Sequence, residues 1–359
     1  MIRPERDPRL DALKGWLQVT IFVSHMTGSL AALWLIHPAW GLSDSSEQFI
    51  FLSGFALGSV FLWKQARQGF AAACRDLGLR MARLWRMHML VFLGFGLMLV
   101  LVAQVFKVEC WPHALERPME ALVGGAVLLY QPPPFMGVLP LFLVAMAALP
   151  AFSWLLARVG DRALWALFAS YALAQVLTPD IPGLGGTTLA FSPPAWVPLF
   201  LLGAWAGQRL LRTGAVAPRH PWLIAAAAGV LLLGLWMRLE GIEPQRLTGK
   251  EQLAPLRLLH ALSCAYLFAV LVPRDIAIAR GAVGRMFGTI GRNSLPVFSL
   301  GLFLSFLGSL ALREAPWAQP WSEPLLLLGG VAILWGLAHR LEARAVRPMA
   351  PPAVVAPTR

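Results

Sequence analysis

Long apolar stretches alternate with short polar ones along almost the whole chain, and this rhythm alone predicts its elements. Apolar runs fall at residues 14–36, 46–64, 86–106, 139–157, 162–178, 196–212, 221–239, 257–273, 293–312 and 322–340. Most have the roughly 17 to 23 residues that an α-helix needs to cross a ~30 Å hydrocarbon layer. The expected architecture is therefore all-α: a polytopic membrane protein of ten transmembrane helices. A further run, 118–131, is apolar but short. It ends in "QPPPF", whose prolines cannot continue a helix. It is expected to be re-entrant or to lie along the membrane surface.

The basic residues orient this stack. If 118–131 does not cross, the loops on one side hold Arg3, Arg6, Arg9, Lys14, the run Lys64 to Arg86, Arg158, Arg162, Arg209, Arg212, Arg219, the run Arg274 to Arg292, and the tail from Arg340 to Arg359. That is 23 of the 30 Lys and Arg residues, which leaves 7 on the other side. Positively charged loops stay cytoplasmic, so both termini are expected inside. If 118–131 crossed, every later loop would invert and the asymmetry would be lost. Residues 1–345 read as one integral-membrane domain, without internal repeats. Residues 346–359, rich in proline, read as a disordered cytoplasmic tail.

Composition agrees with this reading. Over 359 residues the chain is 58% hydrophobic and 13% charged, too apolar for a water-soluble domain. The net charge of +12 would suggest nucleic acid in a soluble protein. Here the charges sit in alternate loops, so the expected partner is the lipid bilayer and not nucleic acid. Cys74, Cys110 and Cys264 have neither the spacing of a disulfide framework nor that of a metal site. The basic N-terminus precedes an apolar stretch too long for a signal-peptide core, which marks a retained first helix.

Ionisable side chains within a membrane are costly and point to function. His25 lies 11 residues beyond Lys14, or ~16 Å along a helix, close to the midplane. A central imidazole suits a general base; the plainer alternative is a histidine hydrogen-bonded to a neighbouring helix. Ser53, 11 residues before Lys64, comes out level with His25. Glu47 then lies ~9 Å higher, too far for direct pairing unless one helix shifts or breaks. Asp44 and Glu47 fit either an outer vestibule or the N-terminal cap of a helix. Arg257 and His260, three apart on one helix face, would look into the same vestibule. At the cytoplasmic side, Arg292 and Asn293 fit either an anion site at a helix start or plain capping. Arg80 and Arg83, in the basic loop from Lys64 to Arg86, could hold polyphosphate or only set topology.

The stretches "RLDALKGWLQVTIFVSH", "GLSDSSEQFIFLSGF", "PLRLLHAL" and "GRNSLPVFSLGLFLSF" resemble the OpgC family, in order, from about residue 6 to 342. These are membrane acyltransferases that add succinyl groups to osmoregulated periplasmic glucans. The basic residue, ten intervening residues and histidine from Lys14 to His25 are also similar to the signature of the broader acyltransferase-3 superfamily. Usually an arginine stands at the first position, so Lys14 departs from the pattern and loses the bidentate contact a guanidinium offers.

The resemblance implies a bacterial inner-membrane enzyme with succinyl-CoA, or another acyl-CoA, as cytoplasmic co-substrate and no tightly bound cofactor or metal. The acceptor would be a hydroxyl of a periplasmic glucan, with glucan synthesis or export machinery as a further partner. His25 would be the general base. Asp11 and Lys14 would organise the donor entrance, with Arg80, Arg83, Arg292 and Asn293 as further donor-side groups. Asp44, Glu47, Arg257 and His260 would face the acceptor, and Ser53, level with His25, would stabilise the oxyanion. No cysteine near His25 and no G-x-S-x-G elbow supports a covalent acyl-enzyme. The rival readings are a sugar or glycan transporter or flippase, an acetyltransferase on another polysaccharide, and a non-catalytic subunit of a glucan-export complex.

Overall fold

The computed structural model describes residues 6–106, 116–128, 137–178, 181–183, 191–315 and 319–346. Among them all regular structure is helical: α1 (Pro8–Ser24), α2 (Leu30–Trp34), α3 (Ser45–Gln68), α4 (Phe70–Phe106), α5 (Pro118–Ala126), α6 (Val138–Val159), α7 (Ala163–Leu177), α8 (Pro193–Thr213), α9 (Pro221–Leu239), α10 (Gln245–Thr248), α11 (Pro255–Leu271), α12 (Ala277–Arg280), α13 (Ala282–Arg292), α14 (Ser294–Glu314) and α15 (Gln319–Val346). Among the described residues, six segments are long and apolar enough to cross a membrane: Ser45–Gln68, Phe70–Val105, Val138–Leu177, Pro221–Leu239, Ser294–Glu314 and Trp321–Arg344. Helix α11 is apolar but shorter. Leu90, Leu93, Leu97 and Leu101 form an exposed apolar stripe at helical spacing on α4, and Trp321, Leu325 and Leu328 form another on α15. Such surfaces belong against lipid.

Each predicted apolar run meets a helix, with two corrections. The first run, 14–36, is not one continuous helix. Helix α1 ends at Ser24, with His25 as its C-cap, and Gly28 then turns at a φ of 89° before α2 begins. The break is stable because neighbours satisfy its backbone. Ser305 Oγ on α14 donates to Phe22 O at 2.8 Å, and the Thr27 amide donates to Ser309 Oγ at 2.8 Å. The buried Glu323 carboxylate accepts from Ser29 Oγ at 2.6 Å and from the Ala31 amide at 2.7 Å, holding the start of α2.

The second correction concerns Lys64 to Arg86, which is helical and not a loop. Helix α3 stops at Gly69, whose φ of 86° favours glycine, and α4 starts one residue later. With 37 residues α4 is about 55 Å long, so its first turns extend well before the apolar run. Of the segment 118–131, residues 118–126 form α5, and 129–131 lie outside the described residues, as do Cys110 and most of the proposed tail.

Two interfaces place the site. Helices α3 and α8 cross backbone to backbone through Gly54, Gly58, Gly203 and Gly207: a Cβ on Gly54 would stand 1.9 Å from Phe200 O, and one on Gly203 2.1 Å from Phe51 O. Small residues four apart allow such contact within a membrane. Helices α1 and α13 do the same through Gly15 and Gly291. The larger core, with Ile50, Leu149, Trp196 and Phe200, gathers α3, α4, α6 and α8; a second, with Phe22, Met26, Ile290 and Leu334, gathers α1 and α13–α15.

Candidate functional site: an ion-pair cluster at the end of a cleft

The start of α3 has two tasks. Asp44 is its N-cap, accepting from the Ser46 amide at 2.7 Å, and Glu47 Oε2 accepts from the Asp44 amide at 2.8 Å, a complete capping box. The remaining oxygens face cations. Asp44 Oδ2 accepts from Lys250 Nζ at 2.6 Å and from Arg257 Nη2 at 3.1 Å, and Glu47 Oε1 accepts from Arg257 Nε at 2.5 Å. Capping and the polar cluster, alternatives at the level of sequence, thus coexist in the same carboxylates. Burial pushes the Asp44 carboxyl up, but Lys250, Arg257 and the hydrogen bonds from Lys250 and Ser46 outweigh it and hold the group well below the usual carboxylate range.

Lys250 reaches this position on a loop pinned from two helices, α7 and α8. Trp196 Nε1 donates to Glu251 O at 3.0 Å, Tyr171 OH to Leu253 O at 2.7 Å, and Gln175 Nε2 to Gln252 O at 2.7 Å. One turn beyond Arg257, His260 Nδ1 meets Ser43 Oγ at 2.7 Å. Its ring is clamped between Gly41 and Gly234, where added Cβ atoms would stand 2.7 and 2.6 Å from ring atoms. His25, at the broken end of α1, lies close enough to Lys250 and Asp44 to feel both charges. His25, at the C-cap of α1, thus lies in the same region as Asp44, Glu47, Arg257 and His260.

A cleft of about 860 Å³ between α1, α3, α8 and α11 approaches this region. One end is marked by His37, Gln48 and Cys264, which are neighbours of the cluster: Gln48 follows Glu47, and Cys264 lies one turn beyond His260. The walls are apolar, with Leu13, Trp16, Leu17, Phe51, Phe55 and Phe268. The other end carries Arg9, Arg209, Arg219 and Arg274, from the start of α1, the end of α8 and the segments just beyond α8 and α11. Arg9 is held by Asp7 at 2.9 Å and by Val272 O, and Arg209 pairs with Asp161 at 3.3 Å. Arg219 and Arg274 are exposed and form no ion pair among the described residues. The sequence reading used these four arginines only for topology; their shared cleft depends on the crossing of α3 and α8.

The other candidate residues lie elsewhere. Asp11 pairs with Arg6 at 2.9 Å, lies 4.0 Å from Arg292 and senses Lys14. Arg292 is gripped by both oxygens of Glu342, at 2.5 and 3.0 Å. Asn293 precedes α14 without capping it, and its Nδ2 donates instead to Thr289 O at 3.0 Å. Arg80 joins Lys64 on Asp76, tying α4 to α3 at 2.9 and 2.7 Å, and Arg83 is exposed. Ser53, half-buried on α3, hydrogen-bonds to none of the described residues and does not line the cleft. Among the described residues no group of three or more His, Cys, Asp or Glu side chains is arranged to hold a metal ion.

The fold and this region together define an all-α membrane protein with a buried ion-pair cluster at the end of an apolar, arginine-rimmed cleft. The model of the family described as OpgC protein matches residues 6–345, nearly the whole chain, and the chain belongs to that family. Membership implies an acyltransferase-like role in glucan modification. No curated protein and no solved structure matches the chain.

Proposed function

We propose that the protein is a ten-crossing inner-membrane O-acyltransferase, termini cytoplasmic, which moves an acyl group, succinyl in the first instance, from cytoplasmic acyl-CoA to a hydroxyl of a periplasmic glucan. One observation carries the reading: the arginine-rimmed cleft ends against the cluster that His25 shares with Asp44 and Lys250. Phosphates of the donor suit the arginines, and its apolar arm suits the walls. The acceptor hydroxyl oxygen attacks the thioester carbonyl carbon; the C–O bond forms, the C–S bond breaks, and the hydroxyl proton passes to His25 and from it to the departing thiolate, giving free CoA. Buried and doubly bonded, Glu47 acts by fixing Arg257, whose second nitrogen orients Asp44.

The test is release of free CoA thiol by the purified protein, with succinyl-CoA and β-glucan. Release that requires glucan and yields an ester-linked acyl group supports the reading. Glucan passage across proteoliposomes without thiol release would instead identify a transporter.

A further inference from the structure

The lipid-facing stripe of α4 does not stop where the apolar run stops. Leu101, Leu97, Leu93 and Leu90 are exposed on one face of the helix, and Arg86, Arg83, Leu79 and Arg75 continue that face at steps of three or four residues. The opposite face, with Ala73, Leu77, Leu84, Val91, Phe95 and Leu99, is buried. Packing sets the depth of the strip. Phe95 meets Phe303 and Phe306 at ring separations of 5.5 and 5.3 Å, at the middle of α14. At 1.5 Å per residue, Arg86 lies roughly 14 Å and Arg83 roughly 18 Å from that level, at and just beyond the edge of a ~30 Å hydrocarbon layer centred there. Arg75, roughly 30 Å away, stands past the headgroups.

We propose that Arg83 and Arg86 together hold the phosphate of an anionic phospholipid on the lipid side of α4. Asp76, the one acid in α4, is taken by Lys64 and Arg80. Arg83 and Arg86 form no ion pair among the described residues, and Arg86 donates only its Nε–H, to Ala82 O of its own helix at 3.4 Å. An arginine at the hydrocarbon edge lays its stem along the lipid and carries its charge out to the headgroups. One helical turn apart, the two guanidiniums offer paired N–H donors to phosphate oxygens. Their double charge favours a headgroup that has no ammonium of its own. Trp85 stands exposed between them, its Nε1 donating to Ala126 O at 3.0 Å, in the position of an interfacial anchor. This gives Arg83 a lipid partner in place of a polyphosphate, and it does not depend on the acyl-transfer reading.

The experiment uses the full chain in vesicles, with the native cysteines replaced and a bimane fluorophore on Leu90→Cys, one turn deeper than Arg86. Mixtures of phosphatidylglycerol and phosphatidylcholine, one of them with brominated acyl chains, quench the fluorophore according to which lipid occupies the strip. One basic residue near the surface favours an anionic lipid about fivefold, so the pair should favour phosphatidylglycerol by about 25-fold. Arg83→Gln with Arg86→Gln should bring the two lipids close to equal affinity, whereas Arg75→Gln should keep most of the preference. Equal quenching by both lipids in the starting protein, or an unchanged preference in the double variant, overturns the inference. Displacement of brominated phosphatidylglycerol by succinyl-CoA also overturns it and assigns the arginines to a donor. If the double variant does not fold, each single exchange should lower the preference about fivefold, and unchanged single variants overturn the inference equally.

Discussion

Arg257 donates its Nε–H to Glu47 Oε1 at 2.5 Å, and the carboxylate it meets has 0% of its side chain exposed. Breaking a buried pair from one side leaves the other charge uncompensated, at about 3–5 kcal/mol. Arg257→Ala is therefore expected to lower the thermal midpoint of the detergent-solubilised protein strongly, whereas the exposed Arg246→Ala should not. Glu47→Gln should cost less, since its amide oxygen can still accept from the Asp44 amide and Arg257 keeps Asp44. Equal midpoints for Arg257→Ala and wild type would show that the pair contributes nothing.

Asp44 gives the cluster a defined acid limit. Its folded carboxyl lies below the usual range, so the stability it adds is present above the unfolded value of about 3.9 and is lost as pH falls below that value. The thermal midpoint of wild type should show no loss from this group between about pH 5 and 8, and a fall below about pH 4. Asp44→Asn should be less stable at neutral pH and show a shallower acid decline. An identical acid profile in both proteins would exclude Asp44 as the source.

The crossing of α3 and α8 aligns the cleft walls, and it permits no added atom at Gly54. Gly54→Ala puts a Cβ 1.9 Å from Phe200 O, so one backbone must move. A large loss of folded yield and of thermal stability is expected. Gly229→Ala is the control: nothing lies within 4 Å of its new methyl group, and it should be neutral or slightly stabilising. A Gly54→Ala protein as stable as Gly229→Ala would contradict the packing described.

Much of the fold was readable from the chain because lipid demands long apolar helices. The break after Ser24 was not, since the short polar stretch "SHMTGS" lies inside a long run that is apolar on both sides, and the serines and Glu323 that hold it lie some 280 residues or more away in sequence. The α4 extension was missed for the opposite reason: Arg75, Arg80, Arg83 and Arg86 suggested a loop by charge, although arginine is a good helix former. Gly54-x-x-x-Gly58 and Gly203-x-x-x-Gly207 were legible and would have brought α3 to α8. That Arg257 and His260 lie three apart on one helix was legible; that both reach the 43–47 segment required the structure.

The proposed orientation is checked by single cysteines in a background without native ones. A cysteine at Ile242, between α9 and α10, should react with an impermeant maleimide on intact spheroplasts. One at Ala215, just after α8, should react only after permeabilisation. Reaction of both from outside would rule out the assignment of the arginine-rimmed end to the cytoplasm.

The central claim is that His25 takes the acceptor's proton, and replacing it with glutamine tests this most directly. Glutamine keeps hydrogen bonding and much of the volume, so a structural histidine would tolerate the change, whereas a base would not. General-base assistance contributes about 10²- to 10⁴-fold, so His25→Gln should transfer succinyl to glucan at least about 100-fold more slowly, with succinyl-CoA binding close to wild type. A folded His25→Gln protein that still acylates glucan at more than about a tenth of the wild-type rate would contradict the account, given that range.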